Sequence, residues 1–504
     1  MKKLFALVVS LALILPLPAF AVDQAELLQK MEALSKELEG LKQQINAVQK
    51  NESAKEERIS RVEKKTTDAA KPSWLEIGGD YRFRFDSLKG KVQDYVLPTG
   101  LPGTPQKGYD AKNSALMTNR LGLNIKAKAT EDITVTTRLL MYKTWGHETS
   151  SAVTGGGFFG DRVNVFDGTV GHVPQDAVLR VDQAYATWSK IAGAPVWFSV
   201  GRRPSTGGIP TNLRQNTEVG GAAGVPGLLV DYAFDGATLG VAPDIDALPG
   251  AYAKLCYGKG FDSGFKTPAN NIKDVSMIGF DVVPYDTDKL HIELNWNRAM
   301  DAFDNLPDGS AFGPAVTTNL GDIDWFGGTV TGKVGDLNLF GSAALSSTHP
   351  NNNRFASLPT MPGLLYDGEQ ESHTGTALYL GARYDIKSTG TKIGAEYNHG
   401  SQYWITFVPA SDDMWTGKLG TRGDVYEVYL IQELNQKPIA KRGKAFVRFG
   451  YQYYDFAYTG SNFWIGEPKK ISDLSADVSR PANYQMLAPI KNAHDIYATF
   501  NVSF

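Results

Sequence analysis

The 504-residue sequence is poor in three features, and each absence excludes a class of protein. Its single cysteine, Cys256, excludes an intramolecular disulfide framework, c-type haem attachment and cysteine-rich zinc sites. Beyond residue 22 no run of about 20 apolar residues exists, so the sequence offers no helical membrane span. The charge is balanced, with 51 Lys and Arg against 54 Asp and Glu, which argues against both nucleic-acid binding and disorder.

The first 21 residues have the pattern of a secretory signal peptide. Lys2 and Lys3 precede an apolar run from Leu4 to Leu17, and Ala19-Phe20-Ala21 is a small-x-small cleavage site. An uncleaved membrane anchor is the alternative, and the shortness of the apolar run disfavours it. Because no cysteine follows the run, a lipoprotein signal is excluded. We therefore expect export, with cleavage after Ala21.

Residues 22–71 predict a periplasmic coiled coil followed by a linker. Apolar residues recur at alternating spacings of four and three, which is the seam of a coiled coil. These residues are Leu27, Met31, Leu34, Leu38, Leu41, Ile45 and Val48, and the register resumes at Ile59 and Val62. Two interpretations remain open: the helix pairs with copies of itself in a homo-oligomer, which is the simpler one, or it docks on a periplasmic partner.

Residues 72–504 predict an all-β domain, an outer-membrane β-barrel. From Leu75 to Phe85 apolar residues alternate with charged or small ones, which is the period of a strand with two different faces. The C-terminal strand alternates in the same way and ends in Phe504, which resembles the signal read by the outer-membrane insertion machinery. Such a barrel keeps its average hydropathy low, because lipid-facing and lumen-facing residues alternate.

The connections predict about 16 antiparallel strands. Short periplasmic turns and long external loops are the outer-membrane arrangement. Seven tight turns are predicted, around Thr130–Asp132, Ile191–Ala194, Asp235–Gly236, Pro284–Asp288, Val334–Asp336, Ser388–Gly390 and Asn435–Lys441. Longer segments separate them, at 87–114, 147–176, 204–224, 301–320, 347–372, 402–420 and 457–493. Within 226–260 the strands are not fixed by the pattern, and Leu248 to Lys259 is open as a strand, a loop or an inward fold.

Aromatic residues near the predicted strand ends suggest the two interfacial girdles of such a barrel. They are Trp74, Trp145, Trp188, Trp197, Trp296, Trp325, Tyr384, Trp404 and Tyr454. Ordinary core aromatics are the alternative.

Two segments carry a resemblance to known families. Leu179 to Trp188, followed by Trp197 to Pro204, resembles a porin hairpin in which a Gln-Ala-Tyr strand pairs with one ending in Gly-Arg. The run from Gly201 to Arg214 resembles a porin-like family of unassigned function, known from anaerobic, often metal-reducing bacteria. A periplasmic coiled coil joined to a barrel is also similar to phosphate-selective porins. The resemblance implies a pore and leaves the solute open.

The parity of the strands predicts a polar lumen with a basic early wall. A barrel of this size encloses an aqueous channel, and rings of Arg or Lys favour anions. Pairing of these cations with Glu76, Asp80 and Asp86 is the equally weighted alternative. The candidate pore-lining residues are Arg82, Arg84, Arg120, Lys126, Lys128, Arg138, Arg203, Glu293, Arg383, Glu396, Glu427 and Arg448. Arg202, Arg203 and Arg214 are also expected to line a constriction if their loop folds inward.

The function predicted from the sequence is passive diffusion of small polar solutes, with anions as the finer expectation, across the outer membrane of a Gram-negative cell. The alternative is a scaffold that sheathes a partner, such as a periplasmic multihaem cytochrome in electron transfer. Catalysis is not expected, because the seven histidines fall on separate segments without nearby Ser and acid patterns. No cofactor or metal is expected within the chain.

Overall fold

The computed structural model describes residues 36, 40, 74–99, 102–146, 171–204, 206–218, 228–304, 318–353, 363–366, 370–409, 411–434, 438–440 and 443–504. It divides into two compact units, Met1–Ser73 and Trp74–Phe504. The predicted signal peptide and, apart from the helical residues Lys36 and Gly40, the predicted coiled coil lie outside the described residues.

The second unit is a closed antiparallel barrel of 16 strands, which confirms the predicted fold class and strand number. Each strand pairs with its neighbours along the chain, and β18 closes the barrel against β1. The barrel strands are β1 (Leu75–Val92), β4 (Asp110–Lys128), β5 (Ile133–Thr144), β6 (Arg180–Trp188), β7 (Val196–Arg203), β8 (Phe234–Val241), β9 (Tyr252–Phe261), β10 (Val275–Asp286), β11 (Leu290–Phe303), β12 (Asn319–Val334), β13 (Leu337–Pro350), β14 (Thr374–Ile386), β15 (Thr391–Gly400), β16 (Gly423–Glu433), β17 (Lys444–Phe456) and β18 (Ile490–Ser503).

Short elements lie between the barrel strands. β2 (Tyr95–Leu97) and β3 (Thr104–Gln106) form a two-stranded sheet in the connection from β1 to β4. One short α-helix (Thr211–Gln215), named here the crossing helix, follows β7. The 3-10 turns are Ile191–Gly193, Lys418–Gly420, Ile471–Asp473 and Pro481–Asn483. No helix among the described residues is long and apolar enough to cross a membrane.

Seven short connections lie at one end of the barrel and eight longer ones at the other, as the sequence predicts. The barrel begins at Leu75 and ends at Ser503, both at the short-turn end. The predicted turn at Asp235–Gly236 is wrong, because both residues lie within β8, paired with Arg202 and Gly201 of β7. The connection between β8 and β9 is residues 242–251 instead, so 226–260 contains the whole of β8 and all of β9 except Phe261.

Inward and outward side chains alternate along the strands. On β17, Phe449 is 54% exposed on the outer face, whereas Arg448 is 4% exposed on the inner face. Leu294 on β11 is 55% exposed and its neighbour Glu293 only 2%. An apolar outer surface beside a polar interior is the reverse of a soluble sandwich and suits a lipid environment.

The aromatic girdle stays a prediction, because exposure alone does not give the level of a ring in the membrane. Trp74, Trp145, Trp188 and Tyr384 are exposed. Trp325, Trp404 and Tyr454 are buried in the interior, where their indole N–H and phenol O–H groups donate to backbone carbonyl oxygens. Four of the long connections contribute to an apolar core at their end of the barrel, which includes Leu228, Leu229, Leu364, Leu365, Trp404, Ile405, Phe463 and Trp464.

Candidate functional site

The lumen is the candidate site, and all twelve predicted pore-lining residues lie on its face by register. Arg82 is opposite Arg120, Arg448 is opposite Thr499, and Glu427 is opposite Glu396. Seven of the twelve are buried: Arg82, Arg84, Glu293, Arg383, Glu396, Glu427 and Arg448. Arg120, Arg138 and Arg203 are half-buried, whereas Lys126 and Lys128 are exposed. Their role in passing a solute stays a prediction.

Burial of so many charged lumen residues has a specific cause, which is a long connection that folds into the barrel. We call residues 401–422, between β15 and β16, the inserted segment. Trp325 on β12 donates a 2.9 Å hydrogen bond to the carbonyl oxygen of Ile405. Trp415 donates a 2.8 Å bond to the carbonyl oxygen of His494 on β18. The inserted segment therefore extends across the lumen between well-separated strands.

The crossing helix enters the lumen from the other side. It follows β7, which is eight places from β15 in the 16-strand order and so lies on the opposite wall. Arg383 on β14 donates a 2.6 Å hydrogen bond to the carbonyl oxygen of Leu213, and Arg448 on β17 donates a 2.7 Å bond to that of Arg214. The expectation that this loop folds inward agrees with this geometry for Arg214, and Arg203 faces the lumen, but the prediction is wrong for Arg202, which alternates to the outer face and pairs there with Asp235.

The two inserted elements meet at a buried cluster of charges. Arg214 of the crossing helix lies 2.6 Å from Asp413 of the inserted segment and 3.1 Å from Glu427 on β16. Lys418 lies 2.6 Å from Glu427 and also pairs with Glu396 on β15. Because every side chain in the cluster is buried, loss of one member would leave an uncompensated charge, which typically costs about 3–5 kcal/mol.

The predicted basic wall is largely neutralised. On the strands, Arg84 lies 2.6 Å from Asp86 and 3.1 Å from Asp495, and Arg138 lies 2.7 Å from Asp80. These contacts correspond to the alternative in which the cations pair across the wall. Arg120, by contrast, has no carboxylate within ion-pair distance among the described residues.

The inserted segment completes the neutralisation with a residue that sequence reasoning missed. Both terminal guanidinium nitrogens of Arg82 donate hydrogen bonds to the carboxylate of Asp412, one of them at 2.9 Å. Burial alone would raise the pKa of Asp412, but the facing Arg82 guanidinium lowers that pKa well below its ordinary value. Asp412 therefore stays ionised in the lumen and fixes the segment to the wall.

A signal for this insertion was present in the sequence. Trp404 to Val408 and Met414-Trp415 are too apolar for a solvated external loop, and Asp412-Asp413 supplies two adjacent acids between them. The partners, however, are far away in sequence: Arg82 and Asp412 are 330 residues apart. An apolar run inside a predicted loop indicates insertion but does not identify the wall it meets.

A cavity of about 840 Å³ remains beside the crossing helix. Its lining comes from β7 to β13 and from the helix residues Asn212 and Leu213, and it extends to the short turn at Thr287–Lys289. We call it the recess. Among the described residues, no group of three or more His, Cys, Asp or Glu side chains could hold a metal ion.

The profile of a sequence family described as "Protein of unknown function (DUF3373)" matches residues 110–504. No curated protein matches the sequence.

Similar solved structures include OmpT, an outer membrane protein of Vibrio cholerae, at 12% identity and a TM-score of 0.41, covering 86% of this chain and 99% of that one. OmpF of Salmonella typhi in complex with daunomycin is 11% identical with a TM-score of 0.41, covering 85% and 97%. With such low sequence identities and TM-scores, these two structures support no inference about function.

Proposed function

Because the chain belongs to the DUF3373 family, whose description assigns no activity, we propose its function from its own geometry: an outer-membrane channel for small polar solutes. The observation that carries the proposal is the lumen, which is lined by charged and amide side chains while the outer face is apolar. The proposed solutes are small, because the inserted segment and the crossing helix occupy much of the cross-section.

A preference for anions is part of the proposal. Arg120, Arg203 and Lys128 face the lumen without an ion-pair partner among the described residues. Unpaired cations on a low-dielectric wall raise the local concentration of anions. Neutralisation of Arg82, Arg84 and Arg138 limits this preference to a modest one.

The orientation follows from the connections. We propose that the long loops are external and the short turns periplasmic, because both ends of the barrel lie at the short-turn end. Residues 22–71 would then be periplasmic, where a coiled coil can reach another copy or a partner.

A sheath around a cytochrome is the weaker proposal, because a protein partner would have to displace the chain's own buried segments. A catalytic role is weaker still, since the buried charged groups are engaged with one another.

The test is the single-channel conductance of the purified full-length protein in planar lipid bilayers. We expect small, regular ion steps with a modest anion preference. Absence of steps, together with co-purification of a red cytochrome from the native membrane, would instead favour the sheath.

A further inference from the structure

The recess differs from the rest of the lumen in the kind of surface it has. Most charged lumen residues contact an oppositely charged neighbour, whereas much of the recess lining is apolar. Its apolar lining includes Trp197, Ile209, Leu213, Phe234, Met277 and Leu339. A cavity of about 840 Å³ lies within the range that holds a small organic ligand.

Arg203 is the cation that this apolar lining surrounds. Its guanidinium carbon lies 5.7 Å from the ring centres of both Tyr185 and Trp197. One terminal nitrogen donates to the hydroxyl of Thr238, and the buried Nε has no hydrogen-bond acceptor in the described part of the chain. No carboxylate among the described residues lies within ion-pair distance of Arg203, whereas its neighbour Arg202 pairs with Asp235 at 2.9 Å.

Some of the other charged groups of the recess have partners. Lys254 lies 2.5 Å from Asp281, and His291 lies 3.2 Å from Glu293. Lys289 and Lys333 also line the recess, as do Glu218 and Asp288, and none of these four has an ion-pair partner among the described residues. Together with Arg203, the lining therefore has three unpaired cations against two unpaired carboxylates, and a ligand that enters would meet a net positive charge.

We propose that the recess binds a small organic anion, a carboxylate attached to an aromatic or compact apolar body. The carboxylate would accept hydrogen bonds from Arg203, because planar guanidinium groups match carboxylates in geometry. The apolar body would lie against Trp197 and Leu213. This inference names the class of solute that the proposed channel would carry. It rests on the proposed channel only for the statement that the bound anion is also transported.

Thiol modification can be used to probe this site, because the only cysteine of the sequence, Cys256, lines the same recess. The Thr238 hydroxyl that accepts from Arg203 lies 3.4 Å from the sulfur of Cys256. The charge on Arg203 should therefore accelerate modification of Cys256 by anionic thiol reagents and slow it with cationic ones.

The experiment compares the rates at which a sulfonate-bearing and a trimethylammonium-bearing methanethiosulfonate modify Cys256 in the full-length protein in detergent. Mass spectrometry follows the reaction. In Arg203→Gln the anionic-to-cationic rate ratio should fall by about fivefold, the effect of one nearby charge at intermediate dielectric. In the matched control Arg202→Gln, whose partner is Asp235, the ratio should stay that of the wild type. An equal ratio in all three proteins would overturn the proposal.

Ligand protection tests the same site without relying on a variant. Benzoate should slow modification of wild-type Cys256, whereas benzyl alcohol at the same concentration should not. Equal protection by both, or none by benzoate, would contradict a carboxylate site. Since binding is measured in detergent without any current, a protein that protects but does not conduct would refute the channel and leave the site standing.

Discussion

At the scale of single residues, Asp231 is half-buried, and its carboxylate accepts a hydrogen bond from the backbone N–H of Gly207 but is otherwise poorly satisfied. Its backbone N–H donates to the carbonyl oxygen of Phe407 at 2.8 Å, but its Oδ1 has no hydrogen-bond partner among the described residues. Burial raises the pKa of Asp231 to about 6, although the nearby His172 acts in the opposite direction. Because the folded-state pKa lies above the ordinary 3.8, the folded protein retains a proton that the unfolded chain releases. This contribution to stability is present at low pH and is lost as the pH rises through about 6.

Substitution of Asp231 by Asn should remove that pH dependence. We expect Asp231→Asn to stabilise the folded barrel by about 1–2 kcal/mol at pH 7.5 and to have little effect at pH 4. The temperature at which the folded form disappears from unheated gels, measured at both pH values, reports the change. Asp262→Asn, on an exposed loop, is the control and should leave the wild-type pH dependence unchanged. If Asp231→Asn and the wild type shift equally with pH, the carboxyl of Asp231 is not the cause.

At the scale of elements, the hairpin of β8 and β9 shows how a local turn signal can mislead. Asp-Gly is a common turn dipeptide, and Asp235-Gly236 lies between two apolar runs. In the barrel, however, Gly236 sits between Gly201 on β7 and Gly258 on β9. A Cβ on Gly236 would lie 2.0 Å from the carbonyl oxygen of Tyr257. Glycine is therefore needed at this position because the neighbouring strand lies so close, and not because the chain turns.

Inserted residues should be tolerated in the connection between β8 and β9 but not at Asp235–Gly236 within β8. A short peptide tag placed after Asp246, in the exposed connection between β8 and β9, should leave the barrel able to assemble, because no strand pairing is interrupted. The same tag placed between Asp235 and Gly236 should abolish assembly, since it breaks β8 at both of its partners. Heat-modifiable mobility in outer-membrane fractions measures assembly. Tolerance of the second insertion would contradict the register.

At the scale of the whole molecule, alternation along the strands predicts the barrel and the lumen face, and the spacing of short and long connections predicts the strand number. Arg448 and Glu427, for example, follow from parity alone because side chains on a strand alternate strictly between two faces. The contents of the lumen were not predictable in the same way. Asp412 and Asp413 lie in a connection whose path depends on contacts with residues far away in the sequence. The spacing of apolar and polar residues along a segment gives no information about such contacts. The sequence therefore predicted a basic wall, whereas the folded chain supplies the carboxylates that neutralise it.

In the proposed channel, the inserted segment limits the width of the lumen. Residues 409–416 can be replaced by a short link, because a side-chain methyl of Val408 lies 3.1 Å from the position a Cβ would take on Gly417. The most direct measurement is the planar-bilayer conductance of a variant in which Gly-Gly replaces residues 409–416, compared with the wild type. We expect a several-fold larger conductance and a stronger anion preference, since Arg82 and Arg214 lose Asp412 and Asp413. A folded variant with the wild-type conductance would contradict the proposal that the inserted segment limits the lumen.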